Sequence, residues 1–123
     1  SLEHPLSAYH HEIAHGAGLI MISKAYYTHF VENCPDLHDR FIDMAKAMGK
    51  TDAKEPMDFV TALVDLQKAC GVDELKMSDY GITPEEFPKF VENARSTMGI
   101  LFKMDRIKLS DEDLIKIYTE SYR

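Results

Sequence analysis

Apolar residues recur at spacings of three and four along almost the whole chain, which is the pattern of amphipathic α-helices. A short helix is predicted over residues 5–14, with one face formed by Leu6, Tyr9, His10 and Ile13. Gly16 and Gly18 interrupt the pattern, and a second helix follows from about Gly18 to Val31. This second helix is apolar on more than one face, so we expect it to be central.

Proline and glycine delimit two further helices. The third is predicted to begin near Pro35 and to end at Gly49, and the fourth to run from Pro56 to Cys70, ending at Gly71. Proline suits a first helical turn because the missing N–H has no intrahelical partner there, and glycine readily adopts the left-handed conformation that ends a helix. A short turn is predicted near residues 75–80.

Polar residues mark the predicted starts of the last two helices. Thr83–Glu86 has the spacing of a capping box, and the helix that follows is predicted to bury Phe87, Phe90, Val91, Ala94 and Met98. Pro88 would remove a hydrogen bond if it lay beyond the first turn, which favours a later start for this helix. Ser110 precedes three acidic residues, which are favourable at the positive end of a helix dipole.

A strand-like pattern occurs only at Ile100–Phe102, which is too short to build a sheet. The predicted fold class is therefore all-α, a bundle of five to six helices that forms a single domain over residues 1–123.

The charge balance disfavours two classes of partner. Among 123 residues, 14 are Lys or Arg and 21 are Asp or Glu, which gives a net charge of −7. Nucleic acids and anionic membrane surfaces carry a negative charge as well and are not expected as partners.

No apolar run reaches the roughly 20 residues that span a bilayer. The two cysteines, Cys34 and Cys70, suit a reducing cytoplasm.

The candidate chemistry lies at the beginning of the chain, where four of the six histidines occur within the first 15 residues. Residues His11 to His15 match the pattern H-E-x-x-H, which on a helix places two imidazoles on one face to share a zinc ion, with Glu12 as general base. A zinc protease is therefore one alternative. The longer signature of that class requires a third histidine where this chain has Met21.

A second interpretation uses more of the chain. The segments His4-Pro5-Leu6-Ser7-Ala8-Tyr9 and His15-Gly16-Ala17-Gly18-Leu19-Ile20 resemble the C-terminal helical part of the iron-dependent (group III) alcohol dehydrogenases, in particular the butanol dehydrogenase branch. The resemblance extends over nearly the whole chain. It implies the C-terminal helical domain of the dehydroquinate synthase-like fold, with His15 as a metal ligand and His4 beside the substrate and nicotinamide.

The same resemblance implies that part of the enzyme is missing. The family's first histidine ligand would stand just before Ser1, and its remaining ligands and nucleotide-binding domain would lie further upstream. The chain is thus predicted to be a C-terminal fragment of a two-domain enzyme. No cofactor-binding residue is assigned to it, and alone it is expected to be inactive and to hold metal weakly.

The implied reaction is transfer of a hydride from a small primary alcohol to NAD(P)⁺, which yields the aldehyde and NAD(P)H. A bound Fe²⁺ would polarise the alcohol oxygen, and imidazole ligands suit Zn²⁺ as well. The physiological alcohol, the choice between NAD and NADP, and a homodimer all stay open. The alternative from another class is a stand-alone helical binding module without catalysis.

Overall fold

The computed structural model describes residues 1–123 and contains six α-helices and no β-strand. The helices are α1 (Glu3–Tyr9), α2 (His15–Asn33), α3 (His38–Ala47), α4 (Met57–Ala69), α5 (Phe87–Phe102) and α6 (Asp111–Ser121). Three short 3-10 turns lie at Pro35–Leu37, Met77–Tyr80 and Pro84–Glu86. The all-α prediction is confirmed. No helix is both long enough and apolar enough to cross a membrane.

The chain forms two compact units, the first made of Ser1–Ala25 and Leu75–Arg123, the second of Tyr26–Glu74. In the first unit, α5 packs against both α1 and α6. Its centre is an aromatic cluster in which the ring of Tyr118 stacks on Phe87 at 5.5 Å and meets Phe90 edge-on at 5.7 Å, measured between ring centroids. All three residues are buried.

The second unit is built on the packing of α3 against α4. Phe41 and Phe59 stack at 5.6 Å, and Tyr27 from the end of α2 meets Phe59 edge-on at 5.0 Å. The predicted ends of these helices are correct to within a few residues. Gly49 and Gly71 follow α3 and α4 with φ angles of +101° and +69°, which only glycine adopts without strain.

Several local predictions are wrong. The first helix covers Glu3–Tyr9 rather than residues 5–14, because residues 10–14 form a loop and a new helix begins at His15. Residues Ile100–Phe102 are helical and form the last turn of α5, beyond a kink at Met98. Pro88 does not delay α5, because the helix begins at Phe87 and the proline lies in its first turn.

The predicted capping box is present, and a second capping box lies at the start of α6. Thr83 and Glu86 form a capping box, although it begins the 3-10 turn Pro84–Glu86, which leads directly into α5. At the start of α6, the Ser110 hydroxyl accepts from the amide of Asp113 at 3.1 Å, and the Asp113 carboxylate accepts from the amide of Ser110 at 2.8 Å. These bonds satisfy amides that otherwise lack a partner at a helix start.

A buried hydrogen bond ties α6 to the start of α1. The hydroxyl of Tyr118 donates to the carbonyl of Leu2 at 2.6 Å. Burial, followed by the negative charge of Glu3, raises the pKa of Tyr118, so the phenol keeps its proton and stays a donor. The bond fixes the backbone immediately before Glu3.

We expect Tyr118→Phe to lower the free energy of unfolding by about 1–2 kcal/mol, because the buried Leu2 carbonyl loses its partner while the ring packing is kept. Tyr80→Phe is the control, since no hydrogen bond of that hydroxyl is seen, and it should change stability by less than about 0.5 kcal/mol. Urea denaturation followed by circular dichroism measures both. Equal stabilities for the two variants would contradict the role of the Tyr118 hydrogen bond.

The stability of the fold is expected to depend on pH through the carboxyl group of Glu86. Burial by itself raises the pKa of Glu86, but hydrogen bonds from the Thr83 amide, Lys89 and His10 outweigh it and hold that pKa below its ordinary value. A carboxyl of this kind stabilises the fold above its unfolded pKa, and that stabilisation is lost as the pH falls through the folded pKa. Glu86→Gln should therefore cost about 1 kcal/mol at neutral pH and much less at about pH 3.

The matched control is Glu92→Gln on the exposed side of α5, which should have little effect at either pH. Denaturation curves at both pH values provide the comparison. A constant difference between the wild type and Glu86→Gln from neutral to acid pH would show that ionisation of Glu86 does not matter.

Candidate functional site

The candidate site lies where α1, the loop of residues 10–14 and the first turn of α2 meet, all within the first compact unit. His4 is on α1, His10 and His11 are in the loop, and His15 is the first residue of α2. The change from helix to loop after Tyr9 therefore decides which of the four histidines come together.

His15 is held by a buried carboxylate. Glu3, in the first turn of α1, is only 1% exposed, and its Oε2 atom contacts Nδ1 of His15. Its other oxygen, Oε1, accepts a hydrogen bond from the hydroxyl of Ser7 one turn later. The side chain of His15 is 62% exposed. One ring nitrogen thus faces a fixed internal acceptor, and the rest of the ring is accessible from outside.

The close approach of α1 to α2 requires a residue without a side chain at position 18. Gly18 is buried, and a Cβ atom placed on it would lie 2.7 Å from both Cγ and Oε1 of Glu3. Carbon atoms do not approach so closely without displacement. A Cβ atom placed on Gly16, two residues earlier, would have no atom within 4 Å.

His4 lies next to His15. The centroids of the two rings are 5.8 Å apart and the ring planes are tilted by 33°. His4 and His15 are both exposed, so the two neighbouring imidazoles are accessible from outside. The two histidines singled out by the sequence are therefore brought together by the structure.

His10 belongs to a separate cluster. Its Nε2 atom lies 3.1 Å from both carboxylate oxygens of Glu86, and its ring meets Phe90 edge-on. Lys89 pairs with the same carboxylate at 3.1 Å. This contact joins the loop of residues 10–14 to the start of α5, which is a structural role.

The structure does not support the zinc protease alternative. That interpretation needs His11 and His15 on one face of one helix, but His11 and Glu12 lie in the loop and α2 begins only at His15. His11 and Glu12 are exposed, and Glu12 approaches His10 at 3.9 Å rather than a second ligand. The pattern H-E-x-x-H therefore occurs here without the continuous helix that would place both histidines on one face.

The donor set fits part of a metal site. An exposed imidazole whose Nδ1 faces a carboxylate is the usual form of a histidine ligand to iron or zinc. No group of three or more His, Cys, Asp or Glu side chains in the chain could hold a metal ion. The residues present could thus occupy only one or two positions of a metal coordination sphere.

Sequence reasoning missed three residues of this site: Glu3, Ser7 and Gly18 in its supporting role. A glutamate in the first turn of a helix is usually solvated and stabilises the helix dipole, so its burial was not expected. The available signals were the i, i+4 spacing of Glu3 and Ser7 and the second glycine after His15. Neither signal reveals that the two helices meet at Glu3.

Comparison with known proteins gives a consistent result. The sequence model described as Fe-containing alcohol dehydrogenase family, C-terminal, matches residues 1–122. The long-chain primary alcohol dehydrogenase AdhA of Thermoanaerobacter ethanolicus is 30% identical, over 99% of this chain and 31% of its own length. The chain thus spans about a third of that relative.

Two solved structures are similar throughout. Both are of an archaeal halo-thermophilic alcohol dehydrogenase from a Red Sea brine pool, one in a ligand-bound form and one of a histidine-to-alanine mutant. Each is 26% identical to this chain and matches 98% of it against 31% of its own length, with TM-scores of 0.90 and 0.87. This similarity covers nearly all of the chain and about a third of each of those dehydrogenases.

The contact at Gly18 generates a test. An alanine inside a helix is ordinarily more stable than glycine by about 1 kcal/mol. Gly16→Ala should show that gain, whereas Gly18→Ala should destabilise the chain because the new methyl group displaces a buried carboxylate that His15 and Ser7 hold. Thermal denaturation of the two variants measures the difference. A stabilisation of similar size in both would show that Glu3 does not depend on close approach to Gly18.

Proposed function

The chain belongs to the Fe-containing alcohol dehydrogenase family, and we propose that it acts as the helical C-terminal domain of an NAD(P)-dependent enzyme that interconverts primary alcohols and aldehydes. The observation that carries the proposal is the pair formed by the exposed imidazole of His15 and the buried carboxylate of Glu3. Family membership alone would be compatible with a chain whose site residues had been replaced. The pair supports a site that still holds metal.

In this proposal His15 binds the metal. Neutral imidazole suits Fe²⁺ and Zn²⁺, and the family name favours iron. A metal held there would supply Lewis-acid polarisation of the alcohol oxygen, and a nicotinamide would accept the hydride. The chain's own contribution is to present His15 in a fixed orientation.

His4 is proposed to act on the substrate. Its ring lies 5.8 Å from the ring of His15, and both residues are exposed. Imidazole can both donate and accept a proton near neutral pH, so His4 can take the alcohol proton or orient the hydroxyl group. A residue next to the metal ligand, but separate from it, suits this role.

The other metal ligands and the nucleotide site are proposed to belong to an N-terminal domain. This is supported by the 31% share of the relatives that the chain covers and by the absence of a three-donor cluster among its own residues. On this view the 123 residues alone are inactive and hold metal weakly, since one imidazole defines only part of a coordination sphere. We further propose a cytoplasmic location, which the two unbridged cysteines favour.

The proposal is tested in the full-length enzyme that carries this chain. We expect His15→Ala to lose most of its bound iron and to reduce kcat/KM by more than about 100-fold, because a ligand is removed. His4→Ala should keep its iron and lose about 100-fold or more in kcat, as expected for a proton-transfer group. Metal analysis and alcohol-dependent reduction of NAD(P)⁺ give the two readouts.

His11→Ala is the matched control, since His11 lies in the same segment but is exposed in the loop. It should retain both iron and activity. Loss of iron in His11→Ala but not in His15→Ala would reject the assignment of the metal ligand.

A further inference from the structure

We propose that Glu3 is a positioning residue for the metal ligand: it accepts the Nδ1 proton of His15 and thereby presents Nε2 of that ring to the metal. The inference rests on the proposed function, because it takes His15 as a ligand. It adds a residue to the site that sequence patterns do not identify. Glu3 is buried, with only 1% of its surface exposed.

A buried carboxylate is strongly unfavourable unless its oxygens find partners. Glu3 has two: Ser7 donates to Oε1, and His15 lies against Oε2 through Nδ1. No group donates a hydrogen bond of standard geometry to Oε2, and its contact with a polar group is the close approach of Nδ1 of His15. The imidazole is therefore the group that compensates the burial of this oxygen.

The chemistry of the pair determines the state of the ring. An ionised carboxylate can only accept hydrogen bonds, and a neutral imidazole carries a proton on just one of its two nitrogens. Facing Glu3, that proton lies on Nδ1, and Nε2 keeps the lone pair that binds a metal. Without Glu3 the ring would be free to rotate and to place its proton on Nε2 instead.

The fold prevents the carboxylate from moving away. On one side, the Tyr118 hydroxyl holds the carbonyl of Leu2, the residue before Glu3, at 2.6 Å. On the other, Gly18 leaves only enough room for the Glu3 side chain, since a Cβ at position 18 would lie 2.7 Å from it. The backbone and the side chain of Glu3 are thus both fixed before any metal binds.

Glu3 is not itself proposed as a ligand. Both of its oxygens already contact groups of the chain, Ser7 and His15, and it is buried whereas His15 is 62% exposed. It acts through His15. A suitable test therefore measures the state of the imidazole as well as metal binding.

The first measurement needs no metal. In the 123-residue chain labelled with ¹⁵N-histidine, at about pH 9 where imidazole is ordinarily neutral, the ¹⁵N shifts of His15 should report a proton on Nδ1. In Glu3→Gln the population should shift to the Nε2–H form. Glu12→Gln, which changes an exposed glutamate of the nearby loop, should leave the spectrum of His15 unchanged.

The second measurement uses the full-length enzyme. We expect Glu3→Gln to bind Fe²⁺ about 10- to 100-fold more weakly than the wild type, the usual effect of removing a carboxylate behind a histidine ligand. Glu12→Gln should bind as the wild type does. Circular dichroism of each variant establishes that the helices are intact.

The outcomes separate this inference from the proposed function. If His15→Ala keeps its iron, the ligand assignment fails, whatever the form of the His15 ring. If His15→Ala loses iron but Glu3→Gln retains the Nδ1 proton and wild-type affinity, the positioning role of Glu3 is overturned. Should Glu3→Gln fail to fold, Gly18→Ala replaces it and must show the same loss of the Nδ1–H form, and an unchanged spectrum then rejects the inference.

Discussion

The burial of one carboxylate, that of Glu3, is the constraint on which the arrangement of the first compact unit depends. A charged group at 1% exposure needs partners, and the chain provides Ser7 one turn along α1 and His15 at the start of α2. These contacts determine where α2 begins relative to α1 and require a glycine at position 18. The packing that buries Glu3 is the same packing that orients the candidate metal ligand.

The histidine-rich beginning of the chain therefore divides into two sites with different purposes. His4 and His15 are exposed neighbours and form the candidate site. His10 is paired with Glu86 and links the loop to the start of α5. The contact between His10 and Glu86 holds the loop of residues 10–14 in place. His4 precedes this loop and His15 follows it. Metal chemistry in such a site depends on the rigidity of its support as much as on the ligand itself.

Local sequence signals were reliable where the deciding interactions are local. The capping residues at Thr83 and Ser110 and the glycines after α3 and α4 act within one or two turns, so their positions predict helix ends directly. Predictions based on periodicity alone were less accurate. Residues 10–14 continue the apolar pattern of α1 but form a loop, and Leu19 and Leu66 are 45% and 51% exposed despite their helical spacing. Apolar residues at helical spacing predict an amphipathic helix, but they do not show which of these residues other parts of the chain bury.

The sequence by itself determined the all-α class, the approximate extent of the helices and the family resemblance that singles out His4 and His15. These follow from caps, periodicity and motifs, which are properties of neighbouring residues. Only the tertiary structure decided that Glu3 is buried behind His15, that His10 pairs with Glu86, and that H-E-x-x-H lies partly in a loop. These features depend on which helices pack together and how closely. The free energy of burying a charged group is set by its tertiary contacts and not by its neighbours in the sequence.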